Sequence, residues 1–131
     1  NERRFIFDEI RKKYIELTPE EWVRQNCLKF LVNEKKFKEN LISIEKKIVL
    51  NKKLKRFDIL AHDNSGKCIL LVECKAPNVR IDQISFDQIL RYNQVINAEF
   101  LMITNGIIHY YCKINKLENK IVFLKDIPVN K

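Results

Sequence analysis

The sequence predicts an α/β fold, on three observations: a capped amphipathic helix opening at Thr18, a change to β texture from Leu41 onward, and an apolar run at Cys68–Val72. That run is long enough to lie buried on both faces of a sheet. With 131 residues, 46% hydrophobic and 32% charged, the chain has the balance of an ordinary globular domain. A chain of this size buries roughly two thirds of its unfolded surface, so neither disulfides nor structural metal are needed, and one domain over 1–131 is expected. It opens at Asn1 without a methionine and so reads as a trimmed or excised piece of a longer protein. Charges throughout 1–13, and apolar runs far short of the roughly 20 residues that span a bilayer, exclude a signal peptide and a membrane helix; a cytoplasmic protein is expected.

Thr18-Pro19-Glu20-Glu21 carries a helix start: Thr18 as N-cap, Pro19 at the first helical position, Glu21 closing a capping box. This helix is expected to run to about Glu34, with Trp22, Val23, Cys27, Leu28, Phe30 and Leu31 forming its buried stripe. Phe5–Ile15 reads as a shorter helix before it. Strands are expected at Ile42–Leu50, Phe57–His62, Cys68–Lys75, Phe100–Thr104 and Ile107–Cys112, the last two around an Asn105-Gly106 turn, with a final strand near Ile121–Leu124. Between the third and fourth strands, Phe86, Ile89, Leu90 and Ile96 recur at helical spacing over Ser85–Ile96. The order is α-β-β-β-α-β-β, without internal repeats.

Cys27, Cys68, Cys74 and Cys112 sit in apolar segments and make no CxxC pair, so buried thiols in a reducing compartment are expected rather than a zinc site. The 25 Lys and Arg against 17 Asp and Glu leave a net charge of +8, the sign of a protein that meets a phosphate backbone. Asn51–Arg56 (NKKLKR) is the basic connection best placed to grip it.

The chemistry concentrates in the second and third strands. Alternation puts Cys68, Leu70, Val72 and Cys74 on one face and Ile69, Leu71, Glu73 and Lys75 on the other. Glu73 and Lys75 therefore enter a covered strand, where an unpaired charge is costly. Reading Asp63–Gly66 as a four-residue loop pairs His62 with Lys67 and Asp58 with Leu71, which brings Asp58 onto the face of Glu73 and diagonally next to it. A three-residue loop would send Asp58 to the opposite face unless a bulge corrected it. Two converging carboxylates, the Cys74 backbone carbonyl and Lys75 are the donor set of a Mg²⁺ or Mn²⁺ site for phosphodiester hydrolysis. In the first helix Glu20 projects near the centre of the apolar stripe and could complete the site, while Glu21 points away and suits the cap.

Asp58, the Glu73-Cys74-Lys75 tripeptide and Gln88-Ile89-Leu90-Arg91-Tyr92 together resemble the PD-(D/E)xK nucleases. More narrowly, LTPEEWVRQ, KRFDIL, LLVECKAP, FDQILRYN and LMITNGIIHYYC resemble the N-terminal nuclease domain of type I restriction enzyme R subunits, over about Leu17 to Cys112. The resemblance implies a metal-dependent DNA nuclease on a restriction-endonuclease-like core, a central mixed sheet flanked by helices. It implies Asp58 and Glu73 as metal ligands, Lys75 as base or electrostatic stabiliser, and Gln88 and Tyr92 as a QxxxY pair near the DNA. Phe57 stands where the family often has proline. With Gly66 and Gly106 as the only glycines there is no Walker A loop, so this chain cannot hydrolyse ATP by itself; a homodimer or a motor or specificity partner is expected instead.

Competing readings attach to the same residues. Asp58, Glu73 and Lys75 could be a buried ion-pair network in a non-catalytic DNA-binding or assembly module. Ser85 and Gln88 could be a capping box. A metal-free RNA-processing set of His62, Tyr92 and Lys75 lacks a spacing that unites them. His62 and His109 read as ordinary strand residues, and Glu45 as part of a solvated strand face.

Overall fold

A computed structural model describes residues 2–118 and 120–130. In chain order the elements are β1 (Phe5–Asp8), β2 (Lys13–Glu16), α1 (Pro19–Lys29), β3 (Ile42–Leu50), β4 (Lys53–His62), β5 (Cys68–Cys74), α2 (Gln83–Ile96), β6 (Phe100–Thr104), β7 (His109–Asn115) and β8 (Lys120–Leu124). Strands β3 to β8 form a six-stranded sheet in sequence order, antiparallel throughout except for β5 and β6. Those two are joined through α2, as a parallel pair requires a crossover. The sheet is therefore mixed, with one helix on each face. Val23, Cys27, Leu28 and Leu31 pack with Ile59, Leu70, Val72 and Met102. Ile89 and Tyr92 pack with Phe57, Leu60, Leu71 and Leu101.

Residues 5–16 form a hairpin, β1 with β2, rather than the expected helix. The Asp8 carboxylate accepts the backbone N–H groups of Ile10 and Arg11 at 2.8 and 2.7 Å, which closes a turn, and Lys12 takes a positive φ of 57°. An aspartate that binds nearby backbone donors competes directly with helix formation, and the Phe, Ile and Tyr residues on either side favour strands.

In α1 the Thr18 hydroxyl accepts from Glu21 N at 3.1 Å, but the return arm of the capping box is missing because the Glu21 carboxylate turns inward to Arg11, Arg24 and Gln25. The helix widens to π geometry over Phe30–Glu34 and so reaches its expected end. Trp22, expected inside, is 45% exposed and lies against Gly106, whose φ of 88° would strain any other residue and where a Cβ would press the indole at 3.0 Å. In α2 the N-cap is Asp82, whose side chain accepts from Ser85 N at 3.1 Å. Ser85 is thus inside the helix, and the capping-box reading of Ser85 and Gln88 is set aside.

The β4–β5 connection decides where Asp58 goes. Asp63 N donates to Lys67 O at 2.9 Å, which leaves Asn64–Gly66 as a three-residue loop, not four. A bulge then restores the faces: His62 pairs with Cys68 but Ala61 pairs with Leu70, so Ile69 is passed over. Cys68 consequently joins the cluster under α2 instead of sharing a face with Leu70. The basic connection is shorter than expected as well. Asn51 and Lys52, both at positive φ, make a two-residue turn, and Lys53–Arg56 already belong to β4. All four cysteines are free and buried. Among the described residues no helix is long and apolar enough to cross a membrane.

Candidate active site

Asp58 lies where two strands change faces together. Ile44 pairs with Ile59 and Lys46 with Phe57, but the pair between them, Glu45 with Asp58, is missing from the ladder, and Glu45 has φ of 53°. Beyond this point Ile59 and Ala61 pack under α1, whereas Phe57 packs under α2. The β4–β5 pairing ends at Ile59 with Val72, and one step further the Asp58 side chain substitutes for backbone: its Oδ2 accepts Cys74 N at 2.8 Å. Its Oδ1 accepts from Arg24 Nη2 at 2.7 Å. One carboxylate thus stitches β5 to α1.

Arg24 is the inner member of a chain of ion pairs. Its Nη1 donates to Glu21 Oε1 at 2.6 Å, and Glu21 Oε2 accepts from Arg11 Nη2 at 2.8 Å. Arg11 also donates to Asp8 Oδ2 at 2.8 Å and Glu45 Oε1 at 2.6 Å, and Gln25 Nε2 bridges Asp8 and Glu21 at 2.8 and 3.0 Å. The chain Asp8–Arg11–Glu21–Arg24–Asp58 therefore runs from the β1–β2 hairpin to the centre of the sheet. Burial works against the Arg24 charge, but hydrogen bonding and charge from Asp58, with Glu21 behind them, hold its pKa above the ordinary value. The Arg24 Nε is buried without a hydrogen-bond partner.

Glu73 has no such support. Its carboxyl lies within hydrogen-bonding reach of Asp58, and among the described residues it accepts no hydrogen bond and makes no ion pair. Burial first, then the hydrogen bond and charge of Asp58, push its pKa well above the carboxylate range, while Lys75 pulls the other way. Glu20 was expected near the middle of the apolar stripe and Glu21 outside it; the reverse holds, with the Glu20 side chain half exposed and Glu21 buried. Glu20 stays within electrostatic reach of the cluster, since partial burial and the Asp58 charge raise its pKa against Arg24 and Lys75. Lys75 continues the parallel pairing, its N–H donating to Thr104 O at 2.8 Å. Asp58, Glu73, Glu20 and Lys75 thus lie within electrostatic reach of one another, with the Cys74 backbone tied between Asp58 and β6.

Gln88 and Tyr92 form a pair of their own: Gln88 Nε2 donates to the Tyr92 hydroxyl at 2.8 Å. Among the described residues neither hydrogen-bonds to Asp58, Glu73 or Lys75. The Tyr92 ring meets Phe57 edge-on at 5.3 Å, so the pair touches the residue just before Asp58. His109 is exposed at a strand start, its Nδ1 2.6 Å from the Thr104 hydroxyl, and His62 lies at the bulge, outside the cluster. Glu45 is no solvated side chain; Arg11 and Arg56 both hold it.

Sequence reading missed Arg24, Arg11, Asp8 and Gln25. The available signal was the spacing of Glu21, Arg24, Gln25 and Leu28 at i, i+3, i+4 and i+7, one helix face carrying opposite charges together.

A mixed sheet with a helix on each face and an acid cluster at a strand distortion is the class this geometry defines. The family model for the type I restriction enzyme R protein N terminus matches residues 19–128. The chain belongs to that family. In fold it is similar to a fragment assigned to an HsdR subunit of a type I restriction enzyme from Vibrio vulnificus YJ016, with a TM-score of 0.52 and 20% identity, over 78% of this chain and 22% of that one. The chain thus spans about a fifth of that relative. Among curated proteins none matches this chain.

Two measurements probe the cluster. Arg24→Ala strands the buried carboxylates of Glu21 and Asp58, and urea denaturation at neutral pH is expected to show a loss of about 3 kcal/mol. Glu73 contributes stability that is present below its ordinary pKa of 4.5 and lost as pH rises through its raised value, because the folded state holds the proton more tightly. In EDTA, Glu73→Gln should therefore gain on the wild type steadily from pH 4 to pH 8; a constant difference between the two contradicts the shift.

Proposed function

We propose that this chain is a metal-dependent DNA nuclease domain of the PD-(D/E)xK type, on a restriction-endonuclease-like core, serving restriction-modification. One observation carries the reading: Asp58 and Glu73 lie within hydrogen-bonding reach of each other, and Glu73 has no donor or cation of its own among the described residues. Two carboxylates so placed cannot both ionise without a proton or a cation between them. That need fits Mg²⁺ or Mn²⁺, hard ions that take oxygen ligands. Among the described residues no group of three or more His, Cys, Asp and Glu is arranged to hold a metal. The donor set is therefore the two carboxylates and the Cys74 carbonyl, with Glu20 at the rim and the remaining positions left to water and substrate phosphate, as suits Mg²⁺.

When bound, the ion would supply an activated water and charge stabilisation at the phosphate. The protein residues divide the other tasks. Arg24 and the Cys74 N–H fix the Asp58 carboxylate, so it meets a cation without reorganising. Glu73 gives up its proton on loading, and Lys75, unpaired among the described residues, is free to orient the nucleophile and offset charge at the phosphate. Gln88 and Tyr92 brace Phe57 and hold the strand that presents Asp58. Lys52, Lys53, Lys55 and Arg56 lie along the β3–β4 hairpin leading to Asp58, where they can grip phosphates without reading bases. Because the match covers only 22% of the HsdR relative, a motor or specificity partner outside this chain is part of the proposal.

A second reading has an observation in its favour. Arg24 already neutralises Asp58, as a purely structural ion-pair network would have it, and a non-catalytic DNA-binding module would keep that pair. Plasmid and linear DNA cleavage in Mg²⁺, Mn²⁺ and EDTA separates the two. The nuclease reading expects metal-dependent cleavage that falls by about 100-fold or more in Asp58→Ala and in Lys75→Ala. Equal inertness of wild type and both variants, with DNA binding retained, favours the module.

A further inference from the structure

A cavity of about 290 Å³ opens on the flank of α1, between that helix and β6–β7. Buried Cys27 and Met102 lie at its floor, and Trp22 and His109, both exposed, stand at its mouth with Tyr111 beside them. Each ring is held in place. The Trp22 indole rests against Gly106, whose backbone comes so near that a Cβ there would meet the ring at 3.0 Å. The Thr104 hydroxyl accepts Gly106 N–H at 3.0 Å and meets His109 Nδ1 at 2.6 Å, which fixes the imidazole. Tyr111 lies nearly parallel to that ring, at 21° and 6.4 Å between centroids. Among the described residues no Lys, Arg, Asp or Glu lines the cavity, so it suits a neutral guest and not an ion. The side chains around it still carry polar atoms of both kinds. Trp22 Nε1 and the Tyr111 hydroxyl make no hydrogen bond among the described residues, and Asn26 spends Nδ2 on Trp22 O, which leaves its amide oxygen to accept. A flat guest with donors and acceptors on its edge satisfies both the rings and these atoms; an aliphatic side chain would satisfy the rings alone.

The cavity also shares an edge with the acid cluster. Lys75 N donates to Thr104 O at 2.8 Å, and Thr104 pairs with His109 across β6–β7. Lys75, Thr104 and His109 therefore stand side by side at one end of the sheet, and the mouth lies about 10 Å from the Lys75 backbone, two strand spacings. That is about three nucleotides at the roughly 3.4 Å rise of one DNA strand. We propose that this cavity receives one nucleobase swung out of DNA whose backbone lies at the acid cluster, stacked between the Trp22 indole and the His109 and Tyr111 rings. The proposal rests on the reading that the protein acts on DNA. Phosphate and base contacts then share one surface, the rim from Lys75 to His109. The cavity is too small for a duplex, so the base enters only by leaving its stack, at a cost that is smallest where it is already unpaired. The protein should therefore prefer DNA with an extrahelical base near the acid cluster.

Trp22 is the only tryptophan of the chain, so its emission reports on the cavity directly. The test titrates three duplexes of equal length in EDTA and in Ca²⁺: one fully paired, one with a single bulged thymidine, and one with an abasic residue in place of that thymidine. Wild type should bind the thymidine bulge about tenfold more tightly than the other two, and that duplex alone should quench Trp22. Followed by anisotropy of labelled DNA, Trp22→Leu and His109→Ala should each erase most of that difference. Both side chains are exposed, and circular dichroism checks that the variants fold. Equal affinity for the thymidine and abasic bulges, Trp22 emission unmoved by the thymidine bulge, a preference that survives both variants, or no DNA binding at all overturns the assignment. Cleavage is not read in this assay. Base-dependent binding by a protein that never cuts DNA would leave the cavity's role standing and remove the nuclease reading, whereas metal-dependent cleavage without base-dependent binding would do the reverse.

Discussion

The Arg24 guanidinium, held between Glu21 and Asp58, is the interaction on which the rest of the site depends. Its hydrogen bonds fix one oxygen of Asp58, and the Cys74 N–H fixes the other, so the acid in the middle of β4 has no freedom left to turn. The strand pays for this with a lost ladder pair opposite Glu45, and the side chain returns the connection to β5 by taking a backbone donor. What is left over is Glu73. With Asp58 locked, the neighbouring carboxyl meets a fixed negative charge that only a proton or a cation can relieve.

Burying charges is rarely stabilising when a well-packed apolar alternative exists, because desolvation costs as much as pairing returns. This molecule places Asp8, Glu21, Arg24 and Asp58 below a tenth exposure and threads them across the hairpin, α1 and the sheet. The arrangement makes sense as orientation rather than as stability: each link has one geometry, and the last link aims Asp58. It also ties the β1–β2 hairpin, which lies outside the family-matched residues, to the acid cluster.

The strands of the sheet and the helix after β5 were legible because β texture, turn residues and apolar periodicity agree locally, although β4 begins at Lys53 instead of Phe57 and β7 spans His109–Asn115 instead of Ile107–Cys112. The Asp58 and Glu73 juxtaposition was legible for a less direct reason. The loop proved one residue shorter than counted and the bulge at Ile69 absorbed one more, so the register moved by two and its parity survived as far as Ile59 opposite Val72. Asp58 itself leaves the ladder, and its carboxylate reaches the Cys74 N–H and Arg24. The Arg24 chain could not be read the same way, since its partners lie as much as 34 residues apart and each looks like a surface charge by itself. The same long-range pairing turned Glu21 inward and Glu20 outward, against the local cap signal. Residues 5–16 were misread because the turn-closing role of Asp8 leaves no mark on apolar spacing.

The central claim is that Asp58 and Glu73 share a cation site whose empty form is held by a proton on Glu73. Calorimetric titration with Mn²⁺ near neutral pH, repeated in buffers of different ionisation enthalpy, counts the protons released on binding. The account predicts release of up to about one proton per ion in the wild type and none in Glu73→Gln. No Mn²⁺ binding, or equal proton release from both proteins, would contradict it.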